Sequence, residues 1–259
     1  CQKEVTGLWA REGAIQWVRF DAALDPAGGC FVETQAPSAK PQYPVSVTTE
    51  KDGKVWLDTG VARYRLAKGP SPVEEVWFEG RLAASSANAR GLYVVDQQDR
   101  LASASAQDEA MEIEASGPVT ACVRFEGFYR AAGGEPLARH ITRVEAFAGQ
   151  PFARVTHTLV ITQDTNNRWF KEVGWEFTVT PGAGAQAVFN TARDDASKTV
   201  AQPLAGAASA YMLQDQHRRF GAGKDHFAVV AGGKAVAQGG ECGDWAMLAG
   251  AQGGLAVAC

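Results

Sequence analysis

The chain has 259 residues, 46% of them hydrophobic and 21% charged, and a formal net charge of −4 at pH 7. That length suits one large β domain or two smaller ones, and burying about 70 to 75% of the unfolded surface removes any need for a metal or disulfide to hold the fold. No apolar run approaches the roughly 20 residues of a membrane-spanning helix. Scattered Lys and Arg residues lack the concentrated basic footprint of a nucleic-acid binder, whereas a local arginine cluster still leaves an anionic or neutral polymer open as partner.

Short apolar and β-branched runs divided by Gly, Pro, Asp and Asn recur along the chain, the pattern of an all-β sandwich or barrel. In chain order, strands are predicted over 14–21, 29–33, 45–49, 54–58, 62–67, 73–79, 91–96 and 111–115. An antiparallel meander follows over 118–162, then strands over 173–180, 208–214 and 227–231 and a final pair near Trp245 and Leu255. Pro37, Pro41 and Pro44 lie in a polar stretch able to join two subdomains. Residues 204–208 suit one helical turn.

The meander can be phased residue by residue. A turn at Ala148-Gly149-Gln150-Pro151 sets Glu145 opposite Arg154, Arg143 opposite Thr156 and Val144 opposite Val155. Taking Gly133-Gly134 as the preceding turn sets Arg124 against Glu145 and Glu126 against Arg143. One face then carries Arg124, Glu126, Arg139, Arg143, Glu145 and Arg154, and the other Val123, Phe125, Val144, Val155, Leu159 and Ile161. A one-residue slip would bury the charges, so the alternation decides which face meets the core.

Five cysteines, Cys1, Cys30, Cys122, Cys242 and Cys259, are odd in number and lack CxxC spacing. They read as small hydrophobes rather than a disulfide framework or zinc site. A lipidated N-terminal cysteine is the alternative for Cys1, against which Gln2 to Phe20 soon reads as folded strand. With no initiator methionine or targeting segment, the start reads as a cut or a disordered boundary.

The arginine-rich face is either a solvated ladder of ion pairs or a surface for carboxylates, which the planar guanidinium fork suits. His140 and His157 phase to the apolar face, with His157 near Thr142, and read as satisfied core or rim histidines. Asp164 to Lys171 combines Asn166, Asn167, Arg168, Trp169 and Lys171: hydroxyl partners, a stacking ring and cations, or else a polar hairpin tip with Trp169 folded back. Gln214, Asp215, Gln216, His217, Arg218 and Arg219 repeat such a mixture, and a solvated loop is the plain reading. His217 and His226 do not make a metal pair without a third ligand. The Gly182 to Ala187 run follows Pro181 in β context and is not a dinucleotide loop. Nucleophile-elbow, Walker, zincin and EF-hand motifs are absent from the sequence.

Trp9-Ala10-Arg11-Glu12-Gly13-Ala14-Ile15-Gln16-Trp17-Val18 resembles the W-x-x-(D/E)-G-S-I-x-W end of an N-terminal RIFT barrel, with Ala14 in place of the usual serine. The stretch from Arg139 to His157 resembles the signature of the β-sandwich that follows it in the exo-rhamnogalacturonan lyase family and its YetA-like relatives. Asp58-Thr59-Gly60, Ser116-Gly117-Pro118 and Leu213-Gln214-Asp215-Gln216-His217 fit the same pattern.

The resemblance implies an all-β chain: a partial RIFT-barrel segment over 1–40 and an antiparallel β-sandwich domain over 41–259, with an α/α toroid expected in the parent protein beyond Cys259. It implies β-elimination on rhamnogalacturonan or a related acidic polysaccharide, in which the proton at C5 of a galacturonosyl unit is removed and the O4 substituent expelled. The expected partner is that acidic polymer or its oligosaccharides, without cofactor, metal, nucleic acid or membrane, in the periplasm or outside the cell. Arg139, Arg143, Arg154, Arg168, Trp169, Lys171, Gln214 and His217 are the candidate substrate contacts, and no catalytic residue is assigned. A non-catalytic carbohydrate-binding or scaffold module is the alternative. Epimerase or mutarotase action on a similar sandwich is a weaker one.

Overall fold

Two-residue alternation dominates the folded chain. In 62–66, Ala62, Tyr64 and Leu66 are buried while Arg63 and Arg65 point away, the period of a strand with one face on a core. A computed structural model describes residues 2–8, 15–21, 41–205, 209–216 and 226–258, with every described element a β-strand. The chain divides into two compact units, Cys1–Thr178 and Val179–Cys259.

The first unit opens with the hairpin β1 (Gln2–Leu8) and β2 (Ile15–Asp21). A sheet follows from β3 (Ser46–Thr49), β4 (Val55–Asp58), β5 (Ala62–Leu66), β6 (Val73–Phe78) and β7 (Arg81–Ser85). The next strands are β8 (Gly91–Asp96), β9 (Leu101–Ala104), β10 (Ala110–Ser116), β11 (Thr120–Ala131), β12 (Pro136–Phe147), β13 (Ala153–Val160) and β14 (Phe170–Glu176). They form a second sheet in the order β13-β12-β11-β9-β8-β14, with β10 also pairing along β11. The short β15 (Thr178–Val179) extends the first sheet beside β7.

The sandwich core joins the two sheets. Val55, Leu57, Tyr64 and Leu66 from the first meet Val123, Phe125, Val144 and Ala146 from the second. Each fully buried aliphatic or aromatic side chain contributes about 1.5 to 3 kcal/mol relative to exposure, so this cluster is the main source of stability. A second cluster, with Leu92, Val94, Tyr129, Leu137 and Ala138, continues along the second sheet.

The β12–β13 register matches the sequence reading: Arg143 faces Thr156, Val144 faces Val155 and Glu145 faces Arg154. The β11–β12 register differs from it. Arg124 faces Arg143, Cys122 faces Glu145 and Glu126 faces Ile141. The turn is centred on Gly133, closed by Ala131 N donating to Glu135 O at 3.0 Å, and a bulge separates Tyr129 from Arg130. The error is two residues, an even number, so every side chain keeps its expected face. Ile161 is corrected too: it lies beyond the end of β13 and is 50% exposed.

Strands β7, β9, Gln186–Asn190, Thr199–Pro203 and Lys234–Gly239 were not expected. The expected strand over 173–180 is two pieces, broken at Phe177. Leu204 and Ala205 form no helical turn. The expected strand over 29–33, most of the expected barrel segment and residues 206–208 lie outside the described residues.

The second unit contains β16 (Gln186–Asn190), β17 (Thr199–Pro203), β18 (Ala210–Gln216), β19 (His226–Ala231), β20 (Lys234–Gly239), β21 (Trp245–Gly250) and β22 (Gly253–Ala258). Two sheets, β17-β16-β21-β22 and β18-β19-β20, share a core of Ala187, Phe189, Phe227, Val229 and Cys242. Cys122 and Cys242 are buried free thiols.

Candidate functional site

The outer face of β11–β13 carries the expected arginines, and β10 brings their partners. Glu114 accepts from Arg143 Nε at 2.7 Å and from its Nη2 at 2.8 Å, a two-pronged pair that holds the carboxyl below its usual range. Arg139 and Arg124 both pair with Glu126, and Arg154 donates to Glu145 at 2.7 Å. Arg124 also lies 3.7 Å from Glu114. The face is a balanced ladder, not the arginine excess read from the meander alone, because Glu112 and Glu114 come from a strand outside the meander.

Three connections gather at one end of the second sheet: the β8–β9 turn, the β11–β12 turn and the β13–β14 loop. Sheet order places them there, since each joins the same ends of antiparallel strands. Asp164 organises the loop, its carboxylate accepting from Asn166 N at 3.0 Å, Asn166 Nδ2 at 2.9 Å and Asn167 Nδ2 at 2.7 Å. Gln97 then clamps the backbone of Trp169: Gln97 N donates to Trp169 O at 3.0 Å, and Trp169 N donates to Gln97 Oε1 at 3.1 Å. The Trp169 side chain is not folded back on the sheet; the residue is 55% exposed.

The cations at this end of the sheet are engaged. Arg168 donates to Glu135 at 3.0 Å, and Arg100 reaches both Glu135 at 3.0 Å and the fully buried Asp96 at 2.7 Å. Lys171, on β14 rather than in the loop, donates to Asp99 at 2.7 Å. Glu135 is held below the usual carboxylate range first by its hydrogen bond from Arg168.

A polar chain crosses the inner face of the second sheet. Tyr129 OH and His157 Nε2 are hydrogen-bonded at 3.0 Å, His157 Nδ1 and Thr142 Oγ1 at 2.8 Å, and Thr142 Oγ1 and His140 Nδ1 at 3.3 Å. His140 Nε2 then faces Glu109 Oε1 at 3.5 Å, and neither atom has a hydrogen-bond partner among the described residues. The other carboxyl oxygen of Glu109 accepts from Gly69 N at 2.8 Å. Burial pushes Glu109 up to about 7, against the opposing pull of Gly69 N and Lys68. Burial, with the neighbouring His157, pushes His140 down to about 4. Both groups are therefore favoured in their neutral forms, the state that costs least in a low-dielectric interior. His157 is bonded at both ring nitrogens, the satisfied histidine read from the sequence, whereas His140 is a core histidine bonded only at Nδ1, and Glu109 and Tyr129 were missed. No spacing signal marks Glu109, which is covered by a loop 40 positions away.

In the second unit, Gln214 donates to Cys242 Sγ, and His226 Nδ1 lies 2.5 Å from Asp215 Oδ1. His217, Arg218 and Arg219 lie outside the described residues. Among the described residues no group of three or more His, Cys, Asp and Glu side chains is placed to hold a metal ion.

The Asp58-Thr59-Gly60 turn and the Ala148-Gly149-Gln150-Pro151 turn, both within stretches that carry the resemblance, meet across the sandwich. Thr59 O accepts from Gly149 N at 2.9 Å, and Tyr64 OH donates to Pro151 O at 2.9 Å. The family described as PcRGLX-like protein central beta sandwich domain matches residues 45–190, whereas no curated protein matches the chain. That match takes in both sheets of the first unit from Val45 onward and covers more than half of the 259 residues, and the protein belongs to this PcRGLX-like central β-sandwich family.

Proposed function

We propose that the chain is the β-sandwich portion of a polysaccharide lyase that cleaves rhamnogalacturonan or a related acidic polysaccharide by β-elimination, in the periplasm or outside the cell. The observation that carries this reading is the family match over 45–190. β-Elimination needs neutralisation of the uronate carboxylate, a base for the C5 proton and an acid for the departing O4. Glu109, His140 and Tyr129 are buried in the sandwich, and this reading assigns them no part in that chemistry. Base and acid are accordingly proposed to come from the toroid of the parent protein. The sandwich supplies binding surface, chiefly the end that carries Trp169.

A second reading, a non-catalytic carbohydrate-binding or scaffold module, is favoured by the pairing of Arg139, Arg143 and Arg154 with carboxylates. The deciding experiment incubates the full-length parent protein with rhamnogalacturonan, oligogalacturonate and related acidic polymers and follows unsaturated-uronate absorbance. Growth of absorbance supports the lyase. Its absence on every acidic polymer, together with retained glycan binding, selects the module.

A further inference from the structure

We infer that the Trp169 end of the second sheet is a subsite for a neutral sugar, not for a uronate. The inference rests on the polysaccharide reading above and specifies which residue of an alternating acidic polymer this surface receives.

The first step concerns the ring. An exposed tryptophan on a slack loop would carry no information, but here the backbone on both sides is pinned. Gln97 exchanges two hydrogen bonds with Trp169 and donates a third, through its side-chain amide, to Asn167 O at 2.8 Å. Asp164 closes the preceding turn, with Arg168 N donating to Asp164 O at 2.9 Å. The loop's polar groups thus hold a large apolar ring out in water. The backbone beneath the ring is preorganised, so that share of the ordering cost is met before any ligand arrives. A pyranose has one face of C–H groups that can lie on an indole and a rim of hydroxyls that can reach surrounding amides and charged groups.

The second step concerns charge. Asp96, Asp99, Glu135 and Asp164 stand against Arg100, Arg168 and Lys171, leaving a formal charge of −1 in this cluster. Arg168 and Lys171 each already have a carboxylate at hydrogen-bonding distance. A uronate would have to displace Glu135 or Asp99 and enter a net negative field. A neutral sugar meets the same ion pairs as a fixed array of donors and acceptors and disturbs none of them.

The test titrates the isotopically labelled chain with neutral rhamnose oligomers and, separately, with trigalacturonate, following the Trp169 indole N–H by NMR. Neutral oligomers are expected to shift that signal with an affinity that added salt does not change, while trigalacturonate leaves it in place. Trp169→Ala is expected to weaken neutral binding by about tenfold or more. The double variant Glu135→Gln, Asp99→Asn, which releases Arg168 and Lys171, is expected to gain salt-sensitive trigalacturonate binding. Unfolding midpoints close to the parent value establish that each variant is folded. Wild-type preference for trigalacturonate, or neutral binding untouched by Trp169→Ala, overturns the subsite. Its failure is separable from failure of the lyase reading, because unsaturated product from the full-length parent is measured independently of this titration.

Discussion

Thr59 and Gly149 tie the two sheets of the sandwich together at one edge: the fully buried threonine accepts from Gly149 N through its carbonyl at 2.9 Å, while its hydroxyl lies 2.8 Å from Gln150 O. The same hydroxyl accepts from Ala62 N at 2.9 Å. Thr59→Val keeps the shape and removes the hydroxyl, leaving the buried Ala62 amide and the Gln150 carbonyl without it. The expected loss is about 1 to 3 kcal/mol in a urea titration. A change within about 0.5 kcal/mol would show that the turn contact is incidental.

Gly60 sits in the left-handed region at φ +82°, where a Cβ would lie 2.7 Å from Tyr43 Cβ. Gly149, at φ +67°, has its nearest such neighbour at 3.8 Å, also on Tyr43. Both alanine substitutions incur the backbone penalty of about 1 to 2 kcal/mol, and only Gly60→Ala adds a collision. Gly60→Ala is therefore expected to lower the midpoint of thermal unfolding further than Gly149→Ala. The reverse order would contradict the packing of Tyr43 over the Asp58-Thr59-Gly60 turn.

Arg143 and Arg154 look alike in sequence, each paired with one glutamate on the outer face, but their partners differ in burial. The Glu114 side chain is 29% exposed and that of Glu145 only 7%. Arg143→Ala breaks a solvated pair and is expected to change stability by less than about 1 kcal/mol. Arg154→Ala strips a cation from a carboxylate that water reaches poorly, and about 1 to 3 kcal/mol is expected. Equal effects in parallel denaturant titrations would remove burial of the partner as the deciding variable.

How far the chain could be read in advance follows from which residues carried a signal. The β12–β13 hairpin was legible in register because its four-residue turn and the Glu145–Arg154 pair admit one alignment. The Gly133-Gly134 turn allowed two centres of the same parity, so faces were legible and partners were not. β7, with sequence RLAAS, and β9, with LASA, are rich in alanine and serine, whose weak strand preference left only their neighbours to reveal them. Arg143 and Arg168 were visible as candidates. Glu114 and Glu135, which engage them, lie 29 and 33 positions away and become partners only through strand pairing.

Val155 tests the phasing of the meander most directly. It faces Val144 across the hairpin and packs on the cluster that contains Val123 and Phe125, while the next residue, Thr156, is exposed opposite Arg143. Val155→Asp places a carboxylate on the apolar layer and is expected to cost more than about 4 kcal/mol, enough to lose cooperative folding. Thr156→Asp is expected to be tolerated within about 0.5 kcal/mol. Circular dichroism melts of the pair separate the two faces; tolerance of Val155→Asp would put the wrong face on the core.

Burial of Glu109 and of His140 makes stability depend on pH through two opposed limbs. Glu109 has its carboxyl raised from 4.5 to about 7 by burial, so between those values the folded chain holds a proton that the unfolded chain has released. Stability from this group is complete below pH 4.5 and is lost as pH rises through 7, by on the order of 3 kcal/mol. His140 is lowered from 6.5 to about 4, chiefly by burial, so its contribution is present above pH 6.5 and is lost as pH falls through 4. From about pH 4.5 to 6.5 the two slopes oppose each other and the parent profile is expected to be nearly flat in that respect. Glu109→Gln keeps a neutral group beside His140 and Gly69 and leaves only the acid-side limb, so it should erase the decline toward pH 7 and above. His140→Gln leaves the other limb, and stability should then fall steadily from pH 4.5 to 7. Urea titrations of the three proteins at successive pH values read both slopes. If Glu109→Gln tracks the parent through neutral pH, Glu109 is ionised in the folded chain, and the neutral pairing with His140 is wrong.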